Sequence, residues 1–230
     1  MNNKIKKSLL FLPVLLLMNS CIGISADIQM RRNGSGRITM EYRISRMAET
    51  VGRLDGNERW PAVPVGRADW ERTVRRIDGL RLVSHSSRED AKDSVHKVTL
   101  EFSNANALVK LLDSPSGGAN LSVGENSNQM QITLFKGAAT EINAELIDLL
   151  KQVSSGYKIS VSFRAPGNSA MTVTDGAGNP LADAHTDVRT DVQVLPPSAE
   201  GFLWGRKVSL SVDTAEIITS GQGLGVIFNW

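Results

Sequence analysis

Alternation of apolar and polar residues is the dominant pattern of the chain, and it predicts a mostly β structure. Directly after position 21, apolar side chains occupy every second position as far as Met30, which is typical of a half-buried strand. Arg31–Gly36 is predicted to be a turn because it contains Asn33-Gly34, a pair that tolerates positive φ and favours hairpins. The alternation resumes over Arg37–Ile44, so these two segments are expected to pair as a hairpin.

The same period of two recurs along the rest of the chain. It predicts further strands at Leu80–Ser84, Val95–Phe102, Ala119–Val123, Gln129–Phe135, Tyr157–Phe163, Met171–Thr174, Val188–Leu195, Lys207–Val212 and Leu224–Phe228.

Helical spacing is found in three segments. In the first, Asp69 is expected to cap a helix that ends at Gly79 and places Trp70, Val74 and Ile77 on one face. The second is Ala105–Leu112, with Asn104 as its cap, and the third follows Thr140, with apolar residues from Ile142 to Val153 at helical spacing. After Ala165 the pattern predicts only strands and turns.

Hairpin signals outnumber the signals for parallel crossovers. We therefore expect an α+β fold, with a mainly antiparallel sheet and about three helices packed on one face. Residues 1–20 are interpreted as a removable signal, residues 21–164 as an α+β domain, and residues 165–230 as a β-rich portion that continues the same domain.

The first residues carry an export signal. Lys4, Lys6 and Lys7 precede the apolar run Leu9–Met18, which is about half the roughly 20 residues that a membrane-spanning helix needs. The run ends at Asn19-Ser20-Cys21, and Cys21 is the only cysteine of the chain.

This ending resembles the lipobox of bacterial lipoproteins, in which the cysteine is acylated and becomes the new N-terminus. The resemblance implies lipidation at Cys21, a membrane anchor and a place in the bacterial cell envelope. Positions 22 and 23 carry no acidic residue, which leaves delivery to the outer membrane open. The alternative is an ordinary secretory signal that ends beside an incidental cysteine.

The charge of the chain is nearly balanced once the signal is set aside. Three of the 26 basic residues lie in the signal, so 23 basic residues face 24 acidic ones in the remainder, and nucleic acid is not an expected partner. Residues 22–100 are the more basic part, with 15 Lys or Arg against 11 Asp or Glu.

Two features of this basic part are candidates for contact with a membrane or a partner protein. One is an arginine cluster formed by Arg67, Arg72, Arg75 and Arg76, which would face anionic headgroups if it is not simply a solvated helix face. The other is Trp60, in an apolar loop that ends at Val65 and that could instead pack on the core.

Motifs of catalysis and of metal binding are missing from the sequence. It has no Gly-x-Ser-x-Gly, no His-Glu-x-x-His and no cysteine beyond the anchor, so we expect neither an enzyme nor a cofactor. His85 and His96 are interpreted as surface histidines, and the group Asp175, Asp183, His185 and Asp187 as turn residues. Glu101 and Asp113 are interpreted as one of the many carboxylate pairs that 24 acidic residues produce by chance.

The hairpin that directly follows Cys21 also resembles the opening of the LppM-like bacterial lipoproteins. That resemblance covers about the first 150 residues and implies an α+β domain that binds lipid or glycolipid at the envelope. The leading hypothesis is a non-catalytic, lipid-anchored protein that holds a lipid or another amphiphile in an apolar cavity. The alternative is a structural or assembly lipoprotein that acts through protein–protein contacts.

Overall fold

The structure is a computed structural model. It describes residues 22–46, 64, 66–113, 118–123, 128–135, 148, 151–152, 154–165, 170–175, 177–181, 191–195, 207–220 and 223–230. The strands are β1 (Ile22–Met30), β2 (Gly36–Ser45), β3 (Leu80–Glu89), β4 (Asp93–Phe102), β5 (Gly118–Val123), β6 (Asn128–Phe135), β7 (Lys158–Arg164), β8 (Ala170–Thr174), β9 (Asp191–Leu195), β10 (Lys207–Asp213) and β11 (Leu224–Asn229). Three helices are described from end to end: α1 (Arg67–Arg76), α2 (Ala105–Leu112) and α3 (Thr214–Ser220).

The strands form two sheets. The large sheet has seven strands in the order β3-β4-β2-β1-β7-β10-β9, and the small sheet has four in the order β5-β6-β11-β8. All neighbours are antiparallel except β1 and β7, which are parallel. The predicted α+β class with mainly antiparallel sheet is consistent with this architecture.

The first hairpin is confirmed. β1 and β2 pair along their whole length, from Ile22 opposite Ile44 to Met30 opposite Gly36. Between them Gly34 adopts a φ of +77°, and its amide donates to the carbonyl of Arg31. The glycine of the Asn-Gly pair therefore supplies the positive φ of this turn.

The predicted packing of about three helices on one face of the sheet is not confirmed. The main contacts of α1 are with β3, those of α2 are with β4 and β5, and those of α3 are with β10. The reason is that the small sheet takes a place expected for helices: Phe163 of β7 stacks on Phe228 of β11, with 4.5 Å between the ring centroids. Much of the core therefore lies between two sheets.

Two local predictions about helices are wrong. Asp69 does not precede α1 but lies in its first turn, where its carboxylate accepts the Gly66 amide at 3.1 Å. The helix α3 was not predicted at all, because its sequence Thr-Ala-Glu-Ile-Ile-Thr-Ser is short and rich in β-branched residues.

Other local predictions are confirmed. The Asn104 side chain accepts the Ala107 amide at 2.9 Å and so caps α2, while Trp70 of α1 is buried. Of the predicted helix after Thr140, only Asp148, Lys151 and Gln152 are described, and all three are helical; the remainder lies outside the described residues.

The C-terminal portion enters both sheets. β10 pairs with β7 in the large sheet, and β11 pairs with β6 in the small one. Hydrogen-bonded ladders thus join residues 207–230 to strands that precede residue 165.

Candidate functional site

The central strand of the large sheet begins directly after the predicted lipidation site. β1 is the fourth of seven strands, and its first residue is Ile22. Cys21 itself lies outside the described residues. The nine residues of β1 rise by about 3.3 Å each, so the strand spans roughly 30 Å from this end of the sheet, here called the anchor end, to Met30.

Apolar side chains of β1 are unequally covered along its core face. Ile28 and Met30 are fully buried, whereas Ile22, Ile24 and Ala26 are only half-buried. Ile159 of β7, the residue opposite Ile24, is also half-buried. These four residues form a partly accessible apolar strip that starts at the anchor end.

A pair of aromatic rings lies beside this strip, beneath α1. Tyr42 is opposite Ile24 in the sheet, and its ring stacks on that of Trp70 at 6.3 Å between centroids. Both side chains are buried, and burial raises the pKa of the Tyr42 hydroxyl above its usual value. Its partner is the sulfur of Met40 at 3.4 Å. Trp70 is thus the buried residue that fixes α1 on the sheet.

Two residues of the predicted arginine cluster are paired with carboxylates, and the other two are remote from the anchor end. Arg67 bonds Glu71 at 3.1 Å, and Arg72 bonds Asp69, so two of the four charges are paired on the helix itself. Arg75 and Arg76 are exposed in the last turn of α1. That turn leads into the start of β3, which lies at the opposite end of the sheet from Ile22. Membrane contact through these arginines stays a prediction, and Trp60 lies outside the described residues.

The outer face of the large sheet, which faces away from the core, carries a polar centre near the anchor end. Tyr157 lies over Gly23, where an added Cβ would approach its ring to 3.6 Å. Its hydroxyl donates to Asp93, a side chain only 8% exposed, and Arg43 lies 3.5 Å from the same carboxylate. Sequence reasoning missed this contact because Tyr157 and Asp93 are 64 positions apart.

A recess of about 200 Å³ adjoins this centre. Its lining is polar apart from Gly23, Ile24 and Gly156, and includes Ser25, Glu41, Arg43, Tyr157, Lys158 and Ser160. Lys158 is 3.8 Å from Asp213, so both cations of this recess have an acidic neighbour.

At the far end of the same face, Glu101 bridges two arginines. It accepts a hydrogen bond from Arg37 at 2.9 Å and another from Arg81. These bonds, that of Arg37 first, hold the pKa of the Glu101 carboxyl below its usual value. The two arginines therefore favour the ionised form of Glu101.

The candidate metal ligands form no group of three in the described part of the chain. His96 is opposite Ser87, and His85 is opposite Val98, so the two histidines lie two positions apart along neighbouring strands. Asp175 closes a turn by accepting the side chain and the amide of Asn179 and the amide of Ala177, and these bonds lower the pKa of its carboxyl. Asp183, His185 and Asp187 lie outside the described residues. Where side chains are described, no three His, Cys, Asp or Glu are placed to share a metal ion.

No protein-family model matches this chain, and no curated protein sequence matches it either. Within the described residues, the helices are all too short or too polar to cross a bilayer.

Proposed function

We propose that this protein is a non-catalytic lipoprotein of the bacterial envelope, anchored through acylated Cys21, whose domain binds a lipid or another amphiphile beside the anchor. The observation that carries the proposal is the position of β1. This strand starts one residue after Cys21 and lies at the centre of the large sheet. Acylation would therefore hold the middle of the domain directly against the membrane surface, without an intervening tether.

The partly accessible apolar strip supports the amphiphile part of the proposal. Apolar side chains of a central strand are normally covered, as those of Ile28 and Met30 are. Half-burial of Ile22, Ile24 and Ala26 leaves apolar surface at the end where a lipid would arrive. An acyl chain that covered this surface would gain roughly 25 cal/mol for each Å² of apolar area removed from water.

The anchor is tested by Cys21→Ala in intact cells. Labelled fatty acid should no longer be incorporated, and the protein should leave the membrane fraction. Because the chain has one cysteine, no second thiol can take the label. Ser20→Ala keeps a small residue before the cysteine and is the matched control. Unchanged labelling and fractionation in Cys21→Ala would refute the lipobox interpretation.

Amphiphile binding is tested on the mature chain with Cys21→Ser, purified without detergent. Native mass spectrometry followed by organic extraction should reveal a bound lipid. Ile24→Gln should reduce its occupancy because it places an amide in the strip, whereas Ser25→Gln on the opposite face of the same strand should not. A folded protein that carries no lipid, and takes up none from added micelles, would exclude the amphiphile part and leave the anchor proposal standing.

The second candidate is an assembly lipoprotein that acts through protein–protein contacts. The observation that favours it is β3, which ends the large sheet and is exposed over most of its second half. Val83, at a register shift in this strand, is 40% exposed. Crosslinking from Val83→Cys in the envelope would capture a neighbouring protein, and a clean monomer there would speak against this function.

A further inference from the structure

A second recess lies on the outer face of the large sheet, across three adjacent strands. It has a volume of about 340 Å³ and is lined by Glu41 of β2, Val95 and Lys97 of β4, and Ser86, Ser87 and Arg88 of β3. The strand register explains why these residues meet. Glu41 is opposite Lys97, which is opposite Ser86; one row nearer the anchor end, Val95 is opposite Arg88.

The floor of this recess is apolar. Val95 is only 3% exposed, although it belongs to the outer face, where its neighbours across the sheet are Arg43 and Arg88. Because Val95 is buried between the two longer side chains of Arg43 and Arg88, the surface here is a depression with an apolar bottom. Volumes of about 300 Å³ and above are in the range of small-molecule sites.

The charged side chains that line the recess form no ion pairs with one another. Glu41 and Lys97 are directly opposite across the strand pair, but they form no ion pair, and neither they nor Arg88 forms one with any other described residue. Arg43 differs, since it is paired with Asp93.

One further carboxylate acts on this region. Asp90 accepts the amides of Lys92 and Asp93, and these two bonds are the main reason why the pKa of its carboxyl is lowered. Arg43 and Arg88 lower that pKa further at longer range. Asp90 therefore acts on Arg88 through its charge alone and does not occupy the hydrogen-bond donors of that side chain.

We infer that this recess binds a small zwitterion that carries a phosphate and an amine. Lys97 and Arg88 would hold the phosphate, together with the Ser86 hydroxyl, and the Glu41 carboxylate would accept the amine. An isolated phosphate fits less well because Glu41 repels it, and an isolated amine fits less well because it meets two cations. Either a phospholipid headgroup or a free amino-phosphate presents this chemistry.

The inference goes beyond the proposed function and does not depend on the anchor. The recess lies on the outer face, whereas the apolar strip lies on the core face of the same sheet. Arg43, Val95 and Arg88 lie in one row across the sheet, and this row is level with Gly23 of β1. Gly23 is two residues after Cys21. A headgroup in the same membrane as the anchor is thus one reachable source.

The test uses the mature chain with Cys21→Ser and phosphoethanolamine as the probe, followed by titration calorimetry at low ionic strength. Saturable binding is expected, with inorganic phosphate and ethanolamine each at least about tenfold weaker, since each lacks one charge-assisted contact. Equal affinity for phosphoethanolamine and inorganic phosphate, or no binding of either, would overturn the inference.

Variants separate a built site from general charge attraction. Lys97→Ala and Arg88→Ala should each weaken phosphoethanolamine binding about tenfold. Lys110→Ala removes an exposed cation from α2, away from the recess, and should leave the affinity unchanged. Glu41→Gln should weaken phosphoethanolamine binding while it strengthens binding of inorganic phosphate. If Glu41→Gln moves both affinities in the same direction, the amine is not held by Glu41 and the inference fails.

The source of the ligand is decided by flotation with vesicles of phosphatidylcholine, with and without phosphatidylethanolamine. Co-flotation that requires phosphatidylethanolamine, and that free phosphoethanolamine reverses, would assign the site to a headgroup. Binding of free phosphoethanolamine without such flotation would assign it to a soluble amino-phosphate. Co-flotation that Glu41→Gln leaves unchanged would count against the recess.

Discussion

The ring of Phe163 in β7 stacks on that of Phe228 in β11, with centroids 4.5 Å apart and planes inclined by 24°. The contact joins the two sheets, and Trp230 extends it at 5.3 Å from Phe163. Because the two phenylalanines belong to different sheets, this stack lies in the part of the core that the two sheets share.

Phe163→Ala should therefore destabilise the fold by about 3–5 kcal/mol, as expected for deletion of a fully buried ring. Phe228→Ala should cost a similar amount. In a double-mutant cycle the two costs should fall short of additivity by about 0.5–1.5 kcal/mol, because either change removes the stack. Urea unfolding measures the free energy of unfolding of the two single variants and of the double variant. Phe135→Ala, which removes a half-buried ring outside this stack, is the control. Strictly additive costs would show that the stack itself contributes nothing.

How far the sequence predicts this fold depends on the distance over which each signal acts. Alternation located the strands, and Asn104 marked the start of α2, because such signals lie within a few residues of each other. Nothing local says that β11 pairs with β6 and not with a strand of the large sheet. For that reason the sequence does not predict the small sheet, nor that this sheet covers part of the core.

The candidate sites show the same limit. The proposed lipidation site at Cys21 is inferred from adjacent residues, as is the hairpin after it, and the apolar strip belongs to a strand that alternation predicts. The outer recess depends on Glu41, Lys97 and Arg88 lying on three strands in a fixed register. A register shift between Leu82 and Ser84 sets which residues of β3 face outward there, and the sequence contains no evident sign of it.

The contact between Tyr157 and Asp93 gives a second prediction. Tyr157→Phe removes the hydroxyl that donates to the buried Asp93 carboxylate. Among the described side chains, Arg43 at 3.5 Å is then the partner that remains to this carboxylate. We expect a loss of about 1–3 kcal/mol in the free energy of unfolding. Tyr42→Phe is the matched control, since among the described residues the acceptor of that buried hydroxyl is a sulfur, and its removal should cost less than about 1 kcal/mol. Equal losses in chemical denaturation would mean that the Asp93 contact is not stabilising.

Gly36 gives a third prediction, based on space alone. A Cβ at this position would lie 2.0 Å from the Gln29 carbonyl oxygen and 2.5 Å from the Phe102 ring. The oxygen belongs to the paired strand β1 and cannot move without disturbing the hairpin, so Gly36→Ala should cost at least about 1–3 kcal/mol. At Gly118 a Cβ would meet only a carboxylate oxygen at 3.9 Å, and Gly118→Ala should stay within about 0.5 kcal/mol of wild type. A thermal melt that ranks the two variants equally would contradict the close packing of β1 and β2.

The bridge of Arg37, Glu101 and Arg81 predicts how stability depends on pH. The bonds from the arginines favour the ionised carboxylate, so the pKa of Glu101 is lower in the folded protein than in the unfolded chain. A carboxyl whose pKa is lowered by folding stabilises the fold above its unfolded pKa, and that contribution is lost as the pH falls through the folded value. Glu101→Gln should therefore narrow the difference in stability between neutral pH and acid, measured by urea unfolding across this range. The effect should be small, because Glu101 is solvent-accessible and salt screens such pairs. Carbon-detected NMR titration should also show the Glu101 pKa rising towards its usual value in Arg37→Ala, and an unchanged pKa there would mean that the bridge does not form in solution.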